Sequence, residues 1–304
     1  MTTNGDTVRG LGLIGIDWGS TNLRAFRFND AGEVVERRSS PEGALRVQNR
    51  SFDKVLREKV GDWLEAGETR ILLCGMVGSR QGWIEVKYVS CPAGIADLAA
   101  AAMEVPFPGA EVLIIPGVAG IDTCGVPEVM RGEETQVMGM AQACKATGLA
   151  CLPGTHSKWV RFTDGIIERF MTCMTGDVYA ALRLNTVLGR TTTVNEAGND
   201  EAFLRGVDRS ADAGGLLHHL FGVRALTLMD QLKEDASASY LSGLLIGHEV
   251  RTAMPPKAHV HLVGDPQLCS LYAQAIQRCE GSSTIEDEDA SARGLAAIGR
   301  KIWI

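Results

Sequence analysis

Across its 304 residues the chain never runs through 18 apolar positions without a charge, a glycine or a proline. No membrane-spanning helix is therefore expected. It also has no excess of basic residues, since 30 Lys and Arg stand against 37 Asp and Glu, a net charge of -7. Nucleic acid and anionic membrane both call for clustered cations, so neither is an expected partner. The opening MTTNGDTVRG lacks the basic start and apolar run of an export signal. The 8 cysteines include no C-x-x-C pair. Without an export signal they read as reduced thiols, and the expected location is cytoplasmic. His259 and His261 alternate on a strand with no third ligand nearby, so they read as structural rather than zinc-binding. Low-complexity tracts and long linkers are missing too.

What is present is enough chain for two domains with real cores. Residues 11–17, LGLIGID, read as a buried strand, followed by the tight polar turn WGSTN. LRAFRF alternates as a half-buried strand does, and Asn29-Asp30-Ala31-Gly32 turns the chain into EVVERR. The pattern returns near the middle: LACLP enters the turn GTHSK, then WVRF, Thr163-Asp164-Gly165 and IIERFM follow. Gly19 aligns with Gly154, Arg27-Phe28-Asn29-Asp30 with Arg161-Phe162-Thr163-Asp164, and Glu36-Arg37 with Glu168-Arg169. A repeat spaced by nearly half the chain indicates a duplicated domain. β/α units follow each meander, so the fold class is α/β with mixed sheets flanked by helices. The expected domains are 1–130 and 131–304, with a Gly/Pro-rich hinge from Pro116 to Gly132. Residues 191–215 are polar and Gly-rich and read as a mobile insertion or a partner contact.

Three turns carry chemistry. Asp17 stands at a strand end before Gly19-Ser20-Thr21-Asn22. Glycine allows close backbone approach, and amides and hydroxyls of such a turn point at phosphate oxygens. A carboxylate there can hold Mg²⁺ against those phosphates. Taken alone, the turn is equally an ordinary hairpin turn. Gly154-Thr155-His156-Ser157-Lys158 offers the same chemistry plus a cation. Two such turns in equivalent places of a repeat can grip one polyphosphate. The third turn, Gly264-Asp265 before Pro266, leaves room for a flat adenine ring, although Asp then Pro is also a common helix start.

The segments IGIDWGSTNLRAFRF, CGMVGSRQGW, CPAG, PEVMRGEETQ, LPGTHSKW, MTGDVYAALR and LVGDPQL span nearly the whole chain. In this order the sequence resembles the 2-dehydro-3-deoxygalactonokinase family of the sugar kinase/Hsp70/actin superfamily. The resemblance implies two duplicated actin-like (ribonuclease H-like) domains. It also implies ATP with Mg²⁺ as cofactors, and phosphorylation of the 6-hydroxyl of 2-dehydro-3-deoxy-D-galactonate in galactonate catabolism. A kinase of this kind needs a carboxylate to take the hydroxyl proton. Glu133, Glu134 and Asp177 are the candidates; the superfamily often has Asp in a Gly-Asp-Gln segment where Glu stands here. An acidic substrate calls for an arginine fork, and Arg24, Arg80 and Arg131 are the candidates. Trp83 packs on the sugar or fills the core. Kinases of other sugars or sugar acids and a non-catalytic sugar sensor are the rivals. The intact turns, and the lack of a winged-helix segment ahead of Asp17, speak against the sensor. A homodimer is an assembly the sequence leaves open.

Overall fold

The computed structural model describes residues 12–144, 147–191 and 198–304. The N-terminal segment, and residues 192–197 of the stretch read as an insertion, lie outside the described residues. The chain packs into two compact units. The first comprises Met1–Thr147, Arg161–Phe170 and Asp289–Ile304; the second comprises Gly148–Val160 and Met171–Glu288.

In chain order the first half holds β1 (Leu13–Trp18), β2 (Leu23–Phe28), β3 (Val34–Ser40), α1 (Phe52–Glu65), β4 (Arg70–Gly75), β5 (Val89–Ser90), α2 (Ile95–Ala100), β6 (Met103–Val105), β7 (Glu111–Ile114), β8 (Val118–Ile121), β9 (Pro127–Met130) and α3 (Glu133–Cys144). The second half holds β10 (Gly148–Leu152), β11 (Ser157–Thr163), β12 (Ile166–Cys173), α4 (Thr175–Asn185), α5 (Asp200–Arg209), α6 (Gly215–Leu228), α7 (Glu234–Ala253), β13 (His259–Leu262), α8 (Pro266–Arg278), β14 (Ser282–Ile285) and α9 (Ala290–Trp303).

The large sheets repeat one another. The first has the order β3-β2-β1-β4-β7-β6 and the second β12-β11-β10-β13-β14. β1 runs parallel to β4, with Asp17 opposite Cys74, and β4 parallel to β7. β10 runs parallel to β13, with Cys151 opposite Leu262, and β13 parallel to β14. The hairpins aligned by sequence thus lie at corresponding places in corresponding sheets. All six residues of β1 are buried, because an interior parallel strand is covered on both faces. Trp18, Phe52 and Trp63 are among the largest fully buried side chains of the first unit.

Grouping by packing differs from the division at residue 130. α3 and α9 cross in direct contact: a Cβ at Gly139 would lie 1.9 Å from the Ala290 carbonyl oxygen, and one at Gly294 1.9 Å from that of Thr135. Glycine on both sides lets two backbones touch, so both helices stay with the first unit. The expected hinge is also ordered differently. Val118 pairs with Met130 and Ile121 with Pro127, so β8 and β9 form a hairpin in a small sheet with β5. Met103–Val105 forms strand β6 beside β7. Within the stretch read as an insertion, residues 200–209 form α5. Asn199 caps it by accepting from the Ala202 amide at 2.8 Å, and Phe203 and Val207 are buried.

Candidate active site

In the first unit the candidate residues gather at the C-terminal ends of the parallel strands β1 and β4, where open α/β sheets bind ligands. Asp17 is the penultimate residue of β1 and is buried. Its Oδ2 accepts from Arg24 Nη2 at 2.5 Å and from Ser291 Oγ at 2.8 Å. Among the described residues nothing bonds to Oδ1. The turn after it is tied down by its carbonyls: those of Gly19, Ser20 and Thr21 accept from the amides of Ala44, Leu45 and Gly43, and that of Asn22 from Gly19. With the carbonyls turned inward, the amides of Ser20 and Thr21 find no acceptor among the described residues and stand at the rim.

The start of α3 meets the end of β4 through two glycines at positive φ. Gly75 has φ 92° and Gly132 φ 109°, and a Cβ on Gly132 would sit 3.2 Å from Gly75 Cα. Glu133 Oε2 accepts from the Arg131 amide at 2.9 Å and Glu134 Oε2 from the Gly132 amide at 2.7 Å. Glu134 is fully buried. Burial first, then the charge of Glu133, push its carboxyl up to about 8. That shift favours the protonated form of Glu134, whereas Glu133 is half-buried at the helix start.

The three arginines differ in what they face. Arg24 is committed to Asp17. Arg80 has a largely exposed side chain beside Glu85 at 3.3 Å. Arg131 is buried. Its Nη2 donates to the Val86 carbonyl at 2.7 Å and its guanidinium lies 4.4 Å from the Tyr88 ring centre. Nε and Nη1 find no partner among the described residues, a costly state for a buried cation. Trp83 stacks on Phe52 at 6.2 Å and meets Phe107 edge-on at 6.4 Å, within the core.

In the second unit the corresponding strand ends, β10 and β13, carry the other candidates. Gly154, Thr155 and His156 form the outer rim of the turn, with open space over Gly154 where a side chain would stand. The Asp177 amide donates to the Thr155 carbonyl at 3.0 Å, and His156 Nε2 lies 3.2 Å from Asp177 Oδ2. Ser157 and Lys158 are buried instead. Lys158 Nζ donates to Thr172 Oγ1 at 3.0 Å, and Ser157 Oγ lies 2.8 Å from Tyr272 OH. A side chain on Gly264 would come 3.5 Å from the Pro153 carbonyl oxygen, so the third turn adjoins the second. Asp265 caps α8, accepting from the Leu268 amide at 2.9 Å.

Sequence reasoning missed Ser291 and Glu249. Ser291 is 274 positions from Asp17, and no local pattern announces it. Glu249 left a signal, a lone acid in the apolar run YLSGLLIGHEV. Among the described residues no three His, Cys, Asp or Glu side chains gather as a metal cluster, and no helix is long and apolar enough to cross a membrane. Mg²⁺ asks for less than a cluster: one or two carboxylates, with waters and phosphate oxygens completing the shell. Asp17, a carboxylate at a strand end with no hydrogen bond to Oδ1 among the described residues, fits that demand.

The sequence profile of the 2-keto-3-deoxy-galactonokinase family matches residues 17–298. A Rhizobium meliloti (strain 1021) protein named as a 2-dehydro-3-deoxygalactonokinase is 35% identical over 296 residues, covering 95% of this chain and 96% of its own. The 2-dehydro-3-deoxygalactonokinase of Escherichia coli (strain K12) is 38% identical over 294 residues, covering 95% and 98%. The crystal structure of a Sinorhizobium meliloti protein named for the same activity superposes with TM-score 0.87 at 34% identity, covering 96% of this chain and 99% of that one. These likenesses and the paired sheets define an actin-like α/β fold, and the chain belongs to the 2-keto-3-deoxy-galactonokinase family of carbohydrate kinases.

Proposed function

We propose that this chain uses ATP to phosphorylate the 6-hydroxyl of 2-dehydro-3-deoxy-D-galactonate. One observation carries the reading: in the two repeated sheets the corresponding strands β1 and β10, each parallel to its neighbour (β4 and β13), finish in a turn of glycine and hydroxyl residues. The relatives' names supply the sugar acid.

In this reading the amides of Ser20 and Thr21 and the rim Gly154-Thr155 hold phosphate oxygens, and Gly264 leaves room for the adenine. Asp17 holds Mg²⁺, which supplies charge neutralisation at the phosphates when bound. Arg24 and Ser291 fix the carboxylate that does so. Glu133 takes the proton of the 6-hydroxyl as the O–P bond forms. Glu134, protonated beneath it, adds no second negative charge. Arg131 meets the substrate carboxylate; of the three arginines it is the buried one with unpartnered donors among the described residues. A second reading gives the base role to Asp177, because His156 at 3.2 Å can hold it in place.

A coupled ADP-release assay on 2-keto-3-deoxy sugar acids differing at one hydroxyl tests the assignment. The galacto-configured acid should be turned over best. Equal or better turnover of an unrelated sugar would overturn the substrate.

A further inference from the structure

The second turn is held from inside by one buried carboxylate. Glu249 of α7 accepts from Trp159 Nε1 at 2.7 Å on Oε1 and from Tyr272 OH at 2.7 Å on Oε2. Burial pushes its carboxyl up, and hydrogen bonds from Thr175, Tyr272 and Trp159 pull it down, with Ser157 linked to it through Tyr272. A carboxylate facing only donors can keep its charge in a buried place. These donors come from separate elements of the second unit. Ser157 and Trp159 begin β11 directly after the turn, Thr175 begins α4 beside Asp177, and Tyr272 lies on α8.

The protons can be counted. A phenol has one proton, and that of Tyr272 goes to Glu249. At the 2.8 Å contact between Ser157 and Tyr272 the serine is therefore the donor. Its single hydroxyl proton points inward, and none is left for a phosphate. This reverses the outward role that the sequence of the turn suggests for Ser157.

We propose that Glu249 is a positioning residue for the nucleotide: through Ser157, Tyr272, Trp159 and Thr175 it locks the turn 153–158 and the first turn of α4, and Ser157 serves as an anchor, not a phosphate ligand. The inference rests on the reading of that turn as a phosphate site. An anchored turn need not be ordered when the phosphate arrives, and such preorganisation appears as affinity.

The test uses the full chain and four proteins: wild type, Tyr272→Phe, Ser157→Ala and the double variant. Binding of a non-hydrolysable ATP analogue is measured by calorimetry, with thermal unfolding in parallel and KM for the sugar acid by ADP release. Each single variant should weaken analogue binding about tenfold, the scale of one hydrogen bond to a charged group. The double variant should be no worse than either single, because both cut the same chain. The KM of the sugar acid should not move. Glu249→Gln, which keeps shape and removes charge, should weaken analogue binding in the same direction. If Ser157→Ala weakens binding while Tyr272→Phe does not, Ser157 touches phosphate directly and the proposal is wrong. Lower unfolding temperatures with unchanged analogue affinity would make the network purely structural and also overturn it. A wild type that binds the analogue but leaves the sugar acid untouched would sink the substrate reading alone, since the binding arms still decide the anchor.

Discussion

The turn after β1 and the turn after β10 occupy corresponding places in corresponding sheets, yet they are built on opposite chemistry. The first begins with the carboxylate Asp17 and is pinned by its own carbonyls to residues 43–45. The second begins with Pro153 and is pinned through side chains, Ser157 to Tyr272 and Lys158 to Thr172. Each unit also buries a glutamate near its turn. Glu134 sits near the charge of Glu133 and is driven up to about 8. Glu249 is also raised by burial but faces the donors Thr175, Tyr272 and Trp159. The duplicated backbone fixes where each turn lies, and the side chains beneath differ between the copies. In the function proposed above, the first copy would bring metal and base, and the second would bring grip.

If that division is right, damage to the first copy should cost chemistry and damage to the second should cost nucleotide affinity. The largest loss is expected for Asp17→Asn, which should lower kcat by roughly 10³-fold or more with folding intact, since metal charge stabilisation is worth several kcal/mol. A folded Asp17→Asn protein with near-normal turnover removes Asp17 from the metal site. Glu133→Gln should lower kcat by about 10²–10³-fold, within the range for a positioned general base, and leave ATP-analogue binding alone. A large loss in Asp177→Asn and none in Glu133→Gln would move the base to the second unit and break the division. Arg131→Met should raise the KM of the sugar acid about 10–100-fold, the worth of a charge-assisted contact, with the KM of ATP constant. An unchanged sugar-acid KM would return attention to Arg80.

The smallest effect separates the two buried glutamates. The Glu134 carboxyl lies above its ordinary value in the folded protein, so the folded state binds its proton more tightly than the unfolded state does. Its contribution is fully present below the ordinary carboxylate range and is lost as pH rises through about 8. The unfolding midpoint should therefore fall across this window in wild type, and Glu134→Gln should flatten that part of the profile. An identical slope in the variant would mean that Glu134 is ionised in the folded chain.

Much of this was legible in the sequence, for physical reasons. Alternation in LRAFRF and the aligned hairpin turns revealed β1–β3 and their copies, because strand periodicity is local. Asp265-Pro266 marked the start of α8 for the same reason. The hairpin β8–β9 hid inside a Gly/Pro-rich run of only 4-residue strands, too short to show a period. The crossing of α3 and α9, which groups residues 289–304 with the first unit, depends on glycines far apart in the chain. The individual roles were the hardest to see. Arg24, Arg80 and Arg131 look alike as letters, but one is bound to Asp17, one is exposed and one is buried. Ser157 reads as a phosphate hydroxyl, and its 2.8 Å contact with Tyr272, 115 positions away, leaves no trace in the local sequence.

The central claim is the reaction itself, and the product reports it most directly. Purified chain, ATP, Mg²⁺ and 2-dehydro-3-deoxy-D-galactonate should be followed by phosphorus and proton NMR. One ADP should appear for each new phosphate ester, with the ester phosphorus coupled to the protons of carbon 6. An ester on another oxygen, or ATP left intact beside the acid while a different sugar is phosphorylated, would contradict the account.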